Sequence, residues 1–319
     1  MLSVREGIQI QTVCSLQQAL GFRVSPMSSV RTMQIHARQQ VIHCGERPLL
    51  MGVLNVTPDS FYDGGAYLDP HAAVDQAIRL AEEGADLLDI GAESTRPGSI
   101  PIDAEEECRR LIPVVSAVAK SVSVPISVDT SKAVVARAAI AAGAVIVNDV
   151  TAMQGDSSMV DLVVETGAGV VLMHMQGTPQ TMQQAPSYRD VVEEIAGFLA
   201  DRARYAEKCG VKKSHIILDP GIGFGKLLLH NLDLIARLGV FASLGYPLLV
   251  GVSRKGFIGQ LTDQPVQARL MGTAAAVALA VEHGANIIRV HDVAAMRDVV
   301  KIAVAVKERQ NMMTREQHA

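Results

Sequence analysis

The sequence predicts a single-domain (β/α)8 barrel, the TIM-barrel form of the α/β class. Short apolar runs suited to buried strands alternate with segments of helical periodicity. Eight such units occupy about 250 residues, the usual span of a closed barrel. The composition agrees, because 49% of the 319 residues are hydrophobic, 3% are aromatic and Trp is absent. Such a chain builds its core from Val, Ile, Leu and Ala, as buried parallel strands under helices do. An open doubly wound sheet is the alternative that the same alternation leaves.

Residues 1–45 read as an N-terminal extension, poorly ordered, with Arg5, Arg23, Arg31 and Arg38 against the single acid Glu6. The barrel domain is expected over 46–309 and a frayed polar tail over 310–319. The first strand is the run from Leu49 to Val56, which carries the polar Asn55 near its end. Thr57-Pro58-Asp59-Ser60 breaks the run and Asp63-Gly64-Gly65 supplies turn chemistry. Later strands follow Gly-Ala steps, where a glycine just past a helix can adopt the left-handed conformation that turns the chain. Gly84-Ala85 precedes DLLDIGAES, Gly143-Ala144 precedes VIVNDVTA, Gly167-Ala168 precedes GVVLMHMQG, and Gly284-Ala285 precedes NIIRVHD. Pro125 to Asp129, His215 to Asp219 and Pro247 to Val252 complete the eight.

Helices fill the intervals. Asp69-Pro70 is a cap followed by proline at the first helical position, with Ala73, Ala77, Ile78 and Leu80 as the apolar face. Ser187 to Asp190 resembles a capping box ahead of Val191, Ile195, Leu199 and Ala203. Asp233 to Leu244, Val266 to His283 and Val293 to Lys307 are the remaining late helices.

Charge and hydropathy narrow the function. A net charge of −4 leaves no basic footprint for nucleic acid. The longest apolar stretch, Ala274 to Val281, is too short to span a bilayer. Neither nucleic acid nor membrane is therefore an expected partner. A cytoplasmic location is expected, with organelle targeting by the Arg-bearing extension left open. Cys14, Cys44, Cys108 and Cys209 are scattered without metal-ligand spacing, so free thiols are expected. Gly221 to Lys226 is Gly-rich, yet lacks the Ser/Thr of a phosphate-binding loop and the third glycine of a dinucleotide fingerprint. A tight turn beside a ligand is its expected role.

In a barrel the strand C-termini converge on one rim, where active sites form. The endings are Asn55, Asp89 with Glu93, Asp129, Asn148 with Asp149, His174, Asp219, Ser253-Arg254-Lys255, and Arg289 with His291. One polar ending is explained by a cap or a turn. Eight in succession are not, since each is costly to bury without a partner. Asp129, Asp219 and Asn148 suit a flat heterocycle with an amidine-like edge. Arg96, Arg254, Lys255, Arg289 and His291 supply positive charge for a phosphate or carboxylate. A Mg²⁺ held by Asn55, substrate phosphate oxygens and water fits the same rim. Asp89 and Glu93 read either as a general acid/base pair or as supports for other groups. Lys255 near a strand end also raises the Schiff-base chemistry of aldolases.

Seven segments in order carry a resemblance: LNVTPDSFYDGG, DIGAESTRPGS, SVDTSK, LMHMQGTPQTMQ, LDPGIGFGK, GVSRKGFIG and RVHDV. Together, from about Arg47 to Val300, they resemble the dihydropteroate synthases of folate biosynthesis, within the pterin-binding family. Gly256 stands where that family often has Ser. The resemblance implies that p-aminobenzoate displaces diphosphate from 6-hydroxymethyl-7,8-dihydropterin diphosphate to give 7,8-dihydropteroate. It implies pterin contacts from Asp129, Asn148, Met173, Asp219, Lys255 and Arg289, with catalytic roles for Lys255, Arg289 and His291. Asn55 resembles the Mg²⁺ ligand. Phe61, Thr95, Arg96, Pro97, Ser253 and Arg254 would frame the diphosphate and aminobenzoate, and sulfonamides would compete as mimics of the latter. The family also implies a homodimer through helices late in the barrel. A pterin-dependent methyltransferase and a non-catalytic pterin-binding paralogue are the alternatives on the same barrel.

Overall fold

The computed structural model describes residues 33–45, 47–56 and 70–316. Eight parallel strands form the barrel: β3 (Leu49–Asn55), β4 (Leu87–Gly91), β5 (Ile126–Asp129), β6 (Ile146–Asp149), β7 (Gly169–Met173), β8 (Ile216–Asp219), β9 (Leu249–Val250) and β10 (Ile287–Val290). Their order around the sheet is β8-β7-β6-β5-β4-β3-β10-β9. A single parallel bridge from Leu218 to Leu248 joins the two ends and closes the ring. The expected barrel is present and the open-sheet alternative is excluded.

Between the strands run α1 (Pro70–Glu82), α2 (Ala104–Ser121), α3 (Ala133–Ala142), α4 (Met159–Thr166), α5 (Val191–Lys208), α6 (Leu228–Ala236), α7 (Gly239–Ala242), α8 (Gly256–Thr262), α9 (Leu270–Glu282) and α10 (Val293–Glu316). None of the described helices is long and apolar enough to cross a membrane. The helix expected over Asp233–Leu244 instead starts at Leu228 and breaks into α6 and α7 around Arg237 and Leu238. The cap of α5 is Asp190 rather than Ser187, because the Asp190 carboxylate accepts from the Val192 and Glu193 N–H groups. Asp69, expected to cap α1, lies outside the described residues, as do Cys14 and the turn Asp63-Gly64-Gly65.

Both ends of the barrel domain differ from expectation. The hairpin of β1 (Met33–Ala37) and β2 (Gln40–Cys44) falls inside the stretch read as an extension. Its inward residues Ile35, Ala37, Ile42 and Cys44 pack on Met51, Leu87, Ile146, Val171 and Ile217 inside the barrel. Period-two alternation, which sends one set of side chains to the core, was present there, but the arginine-rich composition obscured it. Its turn is anchored by the Arg38 N–H on Gly167 O and by Arg38 Nη1 on Ile140 O at 2.9 Å. At the other end α10 continues to Glu316, since Glu, Arg, Gln and Met favour helix and no Gly or Pro stops them.

Register decides which polar residues face the lumen. Alternate strand positions point inward or toward the helices. The outward set, including Leu88, Ile90, Val128, Val147, Leu172 and Leu218, joins the helices in the larger core. The inward set begins with Met51, Leu87, Ile146, Val171, Ile217 and Ile287. Two residues further along, the same face presents Arg289, Asp89, Asn148, Met173 and Asp219. Adjacent strands pair Asp89 with Ser127, Asp129 with Asn148, and Met173 with Asp219. An apolar floor thus carries a polar rim.

Candidate active site

At the centre of the rim is Arg289. Its Nε donates to Asp89 Oδ2 at 2.6 Å and its Nη2 to Asp129 Oδ2 at 3.1 Å. Asn148 Nδ2 donates to the same Asp89 oxygen at 3.0 Å. Asp89 is fully buried, while Asp129 and Asn148 are 8% and 4% exposed. Asp89 Oδ1 and Asn148 Oδ1 have no partner among the described residues. Unpaired buried acceptors are costly, so a ligand carrying N–H donors would relieve the site.

Asp219 accepts from the Gly221 N–H at 2.7 Å. Burial pushes its carboxyl up to about 6, opposed by that N–H and by Lys255, Arg289 and Lys226. Asp129 is also raised by burial, with Arg289 opposing. Lys255 is pushed down to about 8 by burial and by Arg289, against the pull of Asp219 and Asp129. Its Nζ lies over the Phe224 ring, 4.1 Å from the centroid, a cation–π contact.

The Gly-rich turn serves this arrangement. Gly221 has φ +67°, and a Cβ there would lie 2.0 Å from His174 O. Lys226, 3% exposed, donates to Phe224 O at 2.8 Å and to His174 O at 3.3 Å, and meets His174 Nδ1 at 3.1 Å. Burial lowers its pKa to about 7. His174 is thereby turned toward Phe198, with ring centroids 4.9 Å apart. It belongs to the packing layer rather than the rim.

On the opposite side, His291 Nδ1 lies 2.9 Å from Ser253 Oγ, and the His291 backbone N–H reaches the same oxygen at 3.3 Å. The Ser253 hydroxyl keeps both a hydrogen and a second lone pair for Nδ1, so this contact is compatible with either tautomer of the neutral imidazole. Burial and the nearby Arg289 and Arg254 hold His291 down to about 4, so it is neutral at pH 7. Arg254 is committed elsewhere, gripping Asp292 with Nε at 3.0 Å and Nη2 at 2.5 Å. Its φ of +57° is unusual for a non-glycine residue. Thr273 Oγ1 accepts from its N–H at 3.0 Å, and Arg269 Nη1 donates to its O at 3.1 Å. These bonds over-determine the backbone that sets Ser253 and Lys255.

Asn55, half-buried, lines a cavity of about 480 Å³ together with His291 and Arg254. Thr95, Arg96 and Pro97 lie on the 94–101 loop, which is tied across the rim by the Gly98 N–H on Pro179 O at 2.9 Å. Phe61 lies outside the described residues. Asp89 and Glu93 are not a pair: Asp89 serves Arg289 and Asn148, whereas Glu93 meets Lys132 Nζ at 2.7 Å. Asp149 faces away from the lumen and caps the following turn, accepting from the Thr151 and Met153 N–H groups.

The polar rim lies within the region that a known family matches. The model of the family described as pterin binding enzyme matches residues 51–291. The Escherichia coli dihydropteroate synthase is 47% identical over 265 residues, covering 82% of this chain and 93% of that protein. The chain belongs to the dihydropteroate synthase family of pterin-binding enzymes. Solved structures of family members agree. The Xanthomonas albilineans enzyme with 4-aminobenzoic acid has a TM-score of 0.81 at 45% identity, covering 86% of this chain and 98% of that one. Another structure of that enzyme holds 7,8-dihydropteroate, with a TM-score of 0.77 at 43% identity and the same coverages. The Yersinia pestis enzyme in a sulfonamide drug complex has a TM-score of 0.81 at 42% identity, covering 86% and 100%.

The rim groups missing from the sequence reading are Lys226, Phe224 and Asp292. Phe224 and Lys226 lay inside a motif read only for its glycines. Asp292 adjoins the rim residue His291 and carried no signal of its own.

The raised Asp219 pKa has a stability consequence. A carboxyl raised in the folded state contributes stability below its unfolded value of about 3.9, and that contribution is lost as pH rises through about 6. Asp219→Asn, which can still accept from the Gly221 N–H, should therefore gain in Tm relative to the parent protein between pH 4 and pH 8. Thermal melts at the two pH values check this. A Tm difference that does not change with pH would show that Asp219 carries no burial penalty.

Proposed function

We propose that this chain joins p-aminobenzoate to 6-hydroxymethyl-7,8-dihydropterin diphosphate, forming 7,8-dihydropteroate and diphosphate. The observation that carries this reading is the inward ring of Asp129, Asn148, Asp219, Lys255 and Arg289 in a chain of this family. Asp129 and Asp219 accept from the amidine-like edge of the pterin, and Asn148 offers its Oδ1 to a ring N–H. Arg289, immobilised by two carboxylates, packs on the pterin face. Met173, adjacent to Asp219 on β7, closes the pocket. Lys255 bonds the pterin beside the incoming amine.

The amine nitrogen bonds to the pterin methylene carbon while the C–O bond to diphosphate breaks. The diphosphate leaves with the electron pair and one amine hydrogen is lost as a proton. An aryl amine is nucleophilic near neutral pH, so no strong base is needed. The electron-rich pterin shares charge developing on the methylene carbon, which favours departure ahead of attack. Arg289 and the neutral His291 stabilise the departing anion. Ser253, Arg254, Thr95, Arg96 and Pro97 frame the aminobenzoate. The sulfonamide held by the Yersinia enzyme supports competition at that position.

Asn55 is the residue that would hold Mg²⁺. It sits at the end of β3 beside His291. Among the described residues there is no group of three His, Cys, Asp or Glu able to hold a metal. One neutral amide is a weak site alone, so the donor set fits a cation that arrives with the diphosphate. When bound, Mg²⁺ supplies charge neutralisation on the leaving group.

The reading includes a homodimer through α9 and α10. It is supported by the exposure of Met271 and Leu279 on α9, at 78% and 51%, and of Ile302 and Val306 on α10, at 68% and 52%. Sedimentation equilibrium at micromolar protein should give twice the chain mass of 34.0 kDa. A single species at the chain mass would remove this part.

Diphosphate release with dihydropterin diphosphate and Mg²⁺ should depend on p-aminobenzoate, with dihydropteroate identified by mass. kcat/KM, which reports the free enzyme, should fall below about 6 as Asp219 is protonated and above about 8 as Lys255 loses its charge. Lys255→Arg should abolish the alkaline limb. Release without the amine, or no product at any pH, would overturn the reading.

A further inference from the structure

The rim contains an ion-pair network that the reaction above does not use. Glu93 sits at one end of the 94–101 loop and its Oε1 accepts from the Ile102 N–H at the other end, at 2.9 Å. Its Oε2 meets Lys132 Nζ at 2.7 Å, and the same Nζ meets Glu107 Oε2 at 2.5 Å. Glu107 stands in the first turn of α2 and is fully buried, with Lys132 and Thr130 both acting on its carboxylate. Lys132 immediately precedes α3, three residues beyond Asp129, and its side chain makes no capping bond to that helix.

We propose that Lys132 is a positioning residue that fixes the neck of the 94–101 loop through Glu93 and Glu107, and so sets the affinity for the aminobenzoate. The assignment rests on the functional reading above, in which that loop frames the amine substrate. Two carboxylates converge on one ammonium, and neither can approach the other unless it is present. Burial disfavours the Lys132 ammonium, yet Glu107 and Glu93 hold its pKa above the ordinary lysine value, while burial raises Glu107 against the opposing pull of Lys132. The body of the loop is open to solvent, with Ile100 81% exposed. Beyond the neck its bond to the barrel is Gly98 N–H on Pro179 O. A loop of this kind must lose conformational freedom when it closes on a ligand, and a fixed neck removes part of that cost before binding. Lys132 also joins the neck to the strand that carries Asp129, so loop and pterin edge share one rigid support.

The test uses the full chain. Lys132→Met combined with Glu107→Leu removes the bridge without stranding the fully buried Glu107 carboxylate, while Glu93 keeps the Ile102 N–H, and Lys132→Arg keeps the charge. The double variant should raise KM for p-aminobenzoate roughly ten-fold, with kcat and KM for the dihydropterin diphosphate within about two-fold. Lys132→Arg should recover most of the loss. In the ligand-free protein, amides 94–102 should exchange hydrogen faster in the double variant, while those of β5 and β6 do not change. Equal rises in both KM values, or unchanged KM and unchanged exchange, would overturn the assignment. If the parent protein forms no dihydropteroate, the functional reading fails. The exchange measurement then separately decides whether Lys132 holds the loop.

Discussion

The barrel mouth depends on one buried cation. Arg289 enters the lumen from β10, where an unpaired guanidinium would cost several kcal/mol in desolvation. It is stable there because Asp89 and Asp129 meet it at 2.6 and 3.1 Å. Each carboxylate is in turn tolerable only because of Arg289, and Asn148 completes Asp89 by donating to the same oxygen. Removing one partner of such a set costs about 3–5 kcal/mol, because the remaining charge is stranded. Four strands are therefore locked in register at the rim by side chains rather than by backbone pairing alone. The lumen-facing acceptors Asp129 and Asn148 are thereby held in fixed positions in the free protein.

The balance of charge in this mouth is incomplete by construction. Asp219 and Asp129 are held above the carboxylate range, Lys255 below the lysine range, and two acceptor oxygens lack partners among the described residues. The acceptors among these carry a cost in the free protein that a ligand with N–H donors would remove. The apolar floor and the hairpin plug, with Ile35 and Met51 fully buried, carry the stability that this rim spends. One end of the barrel is packed for rigidity and the other is left unsatisfied for binding.

Much of the architecture was legible in the chain because alternation and Gly-Ala punctuation are local signals. Strand ends at Asn55, Asp129, Asn148, Asp219 and Arg289 could be marked because polar residues interrupt apolar runs. What the linear pattern could not resolve is which way a side chain points when two polar residues are adjacent. Asn148 faces the lumen and Asp149 caps a turn, and only the register with β5 and β7 separates them. His174 looked like a rim residue, yet Lys226 and Phe198 draw it into the packing layer, a partnership spanning 52 positions in sequence. Arg254 looked like a free cation until Asp292 appeared beside it. The β1–β2 hairpin was lost to composition, since four arginines outweighed a short period-two pattern. The pairing of Asp89 with Arg289, 200 residues apart, has no local signal at all.

That pairing offers the most direct test of the account. Asp89→Asn preserves shape and removes the charge that holds Arg289. The affinity of 6-hydroxymethyl-7,8-dihydropterin, which lacks the diphosphate, should be measured by titration calorimetry beside the melting temperature. The account predicts at least a ten-fold weaker affinity, about 1.4 kcal/mol, in a protein that still melts cooperatively. Binding within two-fold of the parent protein would contradict it, because pterin recognition would then not depend on how Arg289 is held.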